Sequence, residues 1–219
     1  MVTVVSALDT GVPMSVIGES VFARFISSMK NERGEASPLF RTLARGPVID
    51  RKQYVEDIRR ALYASKIVSY AQGFNLLREA AVEYGWDLNY GEIAMIWRGG
   101  CIIRSAFLNK IYEAFRRNPQ LSNLIVDSYF TSVITENSES WRRVIAGAVR
   151  DGVPVPAMSA ALAWFDSYRS AWLPASLLQA QRDYFGAHTY QRTDRPEGEF
   201  FHTNWTGRGG DTASSTYNA

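Results

Sequence analysis

The stretch DRKQYVEDIRRALYASKIVSYAQGFNLLREAAVEYG, residues 50–85, decides the fold. Its apolar residues recur mostly at spacings of three and four, the mark of a helix with buried faces. Asp50 stands where a capping acceptor belongs, so the spacing predicts one very long helix after it. At ~1.5 Å rise per residue such a helix spans about 50 Å, with Gly73 the position for a bend. From Tyr63 to Ala81 it is apolar nearly all round, which predicts that other helices enclose it.

Those other helices are readable on both sides. Upstream, SVIGESVFARFISSMK (15–30) sets Val16, Ser20, Ala23 and Ser27 along one side and Ile17, Val21, Phe25 and Met29 beside them. Gly34, Pro38, Gly46 and Pro47 punctuate residues 31–50, which read as a surface connection. Downstream, GEIAMIW and CIIRSAFLNKIYEAFRRN read as helices, the second stopped by Asn118-Pro119. SYFTSVITENSESWRRVIAGAVRDG is another, ended by Gly152 with Pro154 just beyond, and MSAALAWFDSYRSAW and PASLLQAQRDYFGA follow. Strand-like alternation is nowhere sustained, so the fold class is all-α. Residues 8–28 and 149–170 both carry Gly-Val-Pro followed by an apolar helix. Spacing alone leaves open whether this is a common pattern arising twice or a duplicated helical unit.

Composition narrows the function classes. The 219 residues are 46% hydrophobic and 21% charged, enough to bury a core. A net charge of +2 argues against a nucleic-acid partner held by a broad basic surface, but a local anion site needs only two or three placed arginines. The single cysteine, Cys101, cannot form an internal disulfide, which fits a reducing compartment. MVTVVSALDT lacks the basic start of a signal peptide, and the apolar runs fall far short of the ~20 residues that span a membrane. The expectation is a soluble, cytoplasmic protein.

Several residues carry candidate chemistry. Arg24 lies among Val21, Phe22, Phe25 and Ile26; it either pairs in a salt bridge, reaches solvent, or clamps a phosphate or carboxylate with its planar fork. In QRDYFGAHTYQR (181–192), Arg182 and His188 do not share one helical face, but they converge if the helix ends near Gly186 and the chain turns there. Asp183 would oppose that by neutralising Arg182, and His188 could equally be a surface or capping histidine. Two histidines without a cysteine or carboxylate pattern predict no metal site. Cys101, in WRGGCIIRS, reads as a core thiol rather than a nucleophile. GRGG (207–210) has no strand before it and no helix after it, so it is not a nucleotide loop. Residues 191–219 break the helical pattern, yet Phe200, Phe201, Trp205 and Tyr217 are costly to leave in water. A tail of this kind is expected to lie in a groove on a partner.

The blocks ESVFARFISSMKNER, LYASKIVSYAQGFNLLREAA, DLNYGEIAMIWRGGCIIRSAFL and LPASLLQAQRDYFGAHTY, with FHTNW in the tail, resemble the C-terminal helical part of the decarboxylating 6-phosphogluconate dehydrogenases. The resemblance runs from about Ser6 to Ala219, and the ending SSTYNA is similar to eukaryotic members. It implies an oxidoreductase of the pentose phosphate pathway (gluconate utilization). Such an enzyme oxidises 6-phospho-D-gluconate with NADP and releases CO2 to give ribulose 5-phosphate, without a metal. It implies a homodimer whose helical body contains a duplicated unit and whose tail crosses to the other subunit. By the resemblance, Arg24 matches the substrate-phosphate arginine. Arg182 and His188 match the pair that the neighbouring subunit delivers to the same substrate. Ser214, Ser215, Thr216 and Tyr217 match the tail segment that approaches NADP on the opposite subunit.

The departures are equally specific. The family's dinucleotide-binding βαβ domain with its GxGxxG turn has no counterpart here, and the family's catalytic lysine and glutamate match no position in this chain. No catalytic residue is therefore assigned. The organisation expected is a helical substrate-binding and dimerisation domain over 1–190 and an extended tail over 191–219 that docks on the partner subunit. The chain is expected to be an N-terminally truncated piece, inactive alone. The alternatives are a non-catalytic helical module that pairs with full-length subunits, and another β-hydroxyacid dehydrogenase with a related helical domain.

Overall fold

Helix α4 runs unbroken for 34 residues, Arg51–Tyr84, with Gly73 inside it. Its ends follow capping chemistry: the Asp50 carboxylate accepts the Gln53 N–H at 2.9 Å, and Gly85 closes the helix in the left-handed region at φ 65°. A computed structural model of the chain describes residues 2–40, 44–48, 50–99, 101–103, 105–205 and 207. No residue between 63 and 81 is exposed, as the apolar run predicts.

The cover comes mainly from α7 (Ser128–Arg150), which lies along α4. The Asp127 side chain caps it by accepting the Tyr129 N–H at 3.1 Å. Helices α5 (Tyr90–Ile96) and α6 (Phe107–Arg117) pack on each other. Phe107, Leu108, Ile111 and Phe115 of α6 join Ile67, Val68, Phe130, Ile134 and Trp141 in one apolar cluster. Ala161 and Trp164 of α8 (Pro156–Tyr168) complete it. Each fully buried large side chain here contributes about 1.5–3 kcal/mol relative to exposure. One polar tie crosses the cluster: buried Asp57 of α4 accepts from Arg143 (2.9 and 3.0 Å) and Ser140 (2.7 Å) of α7 and from Gln53 (3.0 Å). The Arg143 guanidinium outweighs burial and holds the Asp57 carboxyl well below the usual carboxylate range.

The Gly-Val-Pro stretch is the same structural unit twice. Gly11 and Gly152 adopt φ 69° and 67°. The next residue's N–H bonds back to an alanine carbonyl at 2.8 Å in both, Val12 to Ala7 and Val153 to Ala148. Four residues after each glycine a helix begins, α2 (Ser15–Ser28) and α8. The preceding helices, α1 (Val2–Asp9) and α7, end in the same C-terminal turn, which needs glycine's tolerance of positive φ.

Several expectations are corrected. The connection over 31–50 contains a short helix, α3 (Lys30–Ala36), and a 3-10 turn (Ser37–Leu39), so Gly34 stands inside a helix. Met29 breaks α2 and α3 apart, and Arg33 reaches back to the Ser27 carbonyl at 3.2 Å. The helix predicted from Cys101 begins instead at Phe107. Ser105 sets that start by accepting the N–H groups of Phe107 and Leu108, and Lys66 donates to its hydroxyl at 3.0 Å. Cys101 consequently sits half-buried in a turn rather than in the core. Two short strands, β1 (Tyr190–Gln191) and β2 (Phe200–Phe201), pair antiparallel in the tail. Among the described residues no helix is long and apolar enough to cross a membrane.

By its internal contacts the chain divides into residues 1–166 and 167–219. The second unit holds α9 (Ala175–Gly186) and the hairpin.

Candidate functional site

The end of α9 carries the convergence that the sequence predicts. The helix stops at Gly186, and Ala187 and Thr189 follow in the left-handed region at φ 50° and 43°. For residues with a Cβ this costs of order 1 kcal/mol each. Gln179 holds the turn: its Nε2 donates to the carbonyls of His188, at 3.0 Å, and of Thr189. The turn swings His188 back over the helix end. A Cβ added at Gly186 would stand 3.0 Å from the His188 ring atoms Cδ2 and Nε2, so only glycine admits the ring there without displacement. Arg182 and His188 then line one open depression of about 430 Å³ with Gln181, Phe185 and Gly186. Both are exposed, and Arg182 donates to Gln179 Oε1 at 3.1 Å.

Asp183 does not neutralise Arg182. It faces the other way, has no solvent exposure, and accepts from His202 Nδ1 at 2.9 Å, the Thr203 N–H at 3.0 Å and Trp205 Nε1 at 2.8 Å. Burial pushes its carboxyl up, but the Thr203, His202 and Trp205 donors together outweigh burial, and the net direction is down. The FHTNW segment is thus tied to α9 of the same chain. Two further contacts steady the hairpin: the Tyr190 hydroxyl bonds that of Thr203, and the Arg192 guanidinium lies 5.5 Å from the centre of the Phe201 ring. Local sequence did not reveal these roles of Gln179 and Asp183. The signal was the acid within QRDYF, whose donors lie about twenty residues downstream.

Arg24 lies in the first unit, exposed on α2 beside exposed Phe22, Phe25 and Ile26. Among the described residues its guanidinium has no partner; it is an arginine that reaches solvent rather than a buried ion pair. Ser214, Ser215, Thr216 and Tyr217 lie outside the described residues. Among the described residues no group of three His, Cys, Asp or Glu is placed to hold a metal ion. The residues lining the α9 depression supply a guanidinium and an imidazole and no carboxylate. Such a set binds an anion through charge-assisted hydrogen bonds worth about 1.5–3 kcal/mol each.

The family profile described as "6-phosphogluconate dehydrogenase, C-terminal domain" matches residues 1–205. A mouse protein, "6-phosphogluconate dehydrogenase, decarboxylating", is 57% identical over 99% of this chain and 45% of its own length. A Haemophilus influenzae protein of the same description is 55% identical over 98% of this chain and 44% of its own length. A Plasmodium falciparum 6-phosphogluconate dehydrogenase, solved in apo form and in complex with its cofactor NADP+ and its substrate 6-phosphogluconate, superposes with a TM-score of 0.87. That structure is 41% identical and covers 93% of this chain and 44% of its own. The chain spans somewhat under half the length of the curated relatives it matches. It belongs to the 6-phosphogluconate dehydrogenase family and corresponds to that family's C-terminal domain.

Proposed function

We propose that this chain is the substrate-holding helical part of a decarboxylating 6-phosphogluconate dehydrogenase, with Arg182 and His188 gripping the phosphate of 6-phospho-D-gluconate. The observation that carries this reading is their placement on one depression while Asp183, the neighbouring acid, is turned away and satisfied elsewhere. A phosphate monoester is a dianion near neutral pH, and an uncompensated guanidinium beside an imidazole is a matching receptor. Arg24 joins them from a second copy of the chain in a homodimer, and the tail beyond the hairpin reaches across to that copy. Holding one end of the substrate fixes the reacting end without taking part in the chemistry. NADP accepts the hydride in this reading. The working compartment is the cytoplasm, and no metal takes part.

The test is a chimera in which this chain replaces the matching part of the mouse relative. Arg182→Ala should raise KM for 6-phosphogluconate about 10- to 100-fold and leave KM for NADP unchanged. An unchanged KM for the phosphorylated acid overturns the reading. A second reading, a non-catalytic module that pairs with longer subunits, draws on the exposed apolar side chains Phe22 and Ile26 of α2 and Leu177 and Phe185 of α9. It requires that the chimera be inactive although folded.

A further inference from the structure

Resting on that reading of Arg182 and His188, we propose that Gln179 is a positioning residue that sets the spacing of the two while leaving their positive charge free. It lies one turn before Arg182 on α9 and is half-buried. Its amide is used at both ends: Oε1 accepts from Arg182 Nη1 at 3.1 Å, and Nε2 donates to the backbone carbonyls of His188, at 3.0 Å, and Thr189. The partners fix which end is which, because a guanidinium only donates and a carbonyl only accepts. One neutral side chain therefore couples the guanidinium to the backbone that carries the imidazole.

The neutrality matters as much as the reach. A carboxylate at this position would bond Arg182 equally well, but it would neutralise the charge meant for the phosphate and set its oxygens against two carbonyls. The acid that α9 does carry next to Arg182, Asp183, is buried on the opposite errand of holding His202, Thr203 and Trp205. Among glutamine's close relatives, asparagine is one carbon too short to span both contacts. The device therefore needs an amide on a long stem.

The variants are Gln179→Ala and Gln179→Glu in the mouse chimera, alongside Arg182→Ala. Alanine is the better helix former, so α9 should survive, and circular dichroism checks this. Q179A should raise KM for 6-phosphogluconate about tenfold with kcat within about twofold and KM for NADP unchanged. Competitive inhibition by inorganic phosphate should weaken by the same factor. Q179E should be worse than Q179A, because it adds charge cancellation to the lost donors. If R182A raises KM while Q179A does not, the positioning role is wrong and the phosphate site stands. If Q179E is no worse than Q179A, the claim that neutrality is required is wrong. If R182A itself has no effect, the underlying reading of the site has failed.

Discussion

In residues 1–166 the largest fully buried side chains are Trp141, Phe130, Ile67, Leu108 and Ile111, whereas among the described residues of 167–219 the one buried side chain is a carboxylate, Asp183. Large apolar side chains of the second unit lie outside: Trp172 is 72% exposed, Leu177 77% and Phe185 65%. Apolar burial is non-directional and accumulates over area, so it yields stability but tolerates small shifts. A buried carboxylate with three donors is directional, and it holds only if each donor keeps its place. The first unit is thus held by apolar area, and the second by register. That register ties the FHTNW segment to α9, while Gln179 holds the turn that carries His188.

The largest effect tests the apolar side of this contrast. Trp141→Ala should cost about 4 kcal/mol through the cavity it leaves, read as a lowered melting midpoint for residues 1–166. Trp141→Phe should cost much less, since among the described residues the buried Trp141 indole N–H has no hydrogen-bond partner and its removal leaves nothing unpaired. Equal losses would mean that this core depends on more than volume. Next comes Asp183→Ala, which should loosen the hairpin by about 2 kcal/mol in hydrogen exchange while the melting of residues 1–166 stays put. Acid does the same reversibly. The folded carboxyl lies below its ordinary value of 3.8, so its contribution is complete above that pH and is lost as pH falls through the folded value. The indole N–H resonance of Trp205 should leave its bonded position over that range and not above it. A shift already complete near neutrality would take Asp183 out of the role.

What the sequence revealed follows the same division. Helix α4 was legible to its cap, because Asp50 and the three-four spacing act within a few residues. The stop at Gly152 and the turn after Gly186 were legible for the same reason. The late start of α6 was not, because Ser105 is tied to Lys66, 39 residues away. Helix α3 was missed because Gly34 signals a connection, yet the helix is so short and exposed that one glycine does not decide it. Whether Asp183 pairs with Arg182 stayed open in the sequence, because its donors lie 19 to 22 residues on. Periodicity reports faces and caps; a polar side chain whose partners are distant leaves no period to read.

The smallest effect is the sharpest, because it separates register from stability at one atom. Gly186 is the last residue of α9 and has ordinary helical φ, so a methyl group there is compatible with the backbone. Replacing glycine by alanine within a helix stabilises it by about 0.5–1 kcal/mol. The new Cβ, however, would meet the His188 ring at 3.0 Å, closer than carbon atoms settle, and the flexible ring gives way before the backbone does. Gly186→Ala in the chimera should therefore leave the melting curve unchanged or slightly raised while KM for 6-phosphogluconate rises about two- to fivefold and kcat holds. Loss of stability would mean that the helix end, not the ring, was under strain. An unchanged KM would mean that the imidazole does its work from somewhere other than above Gly186.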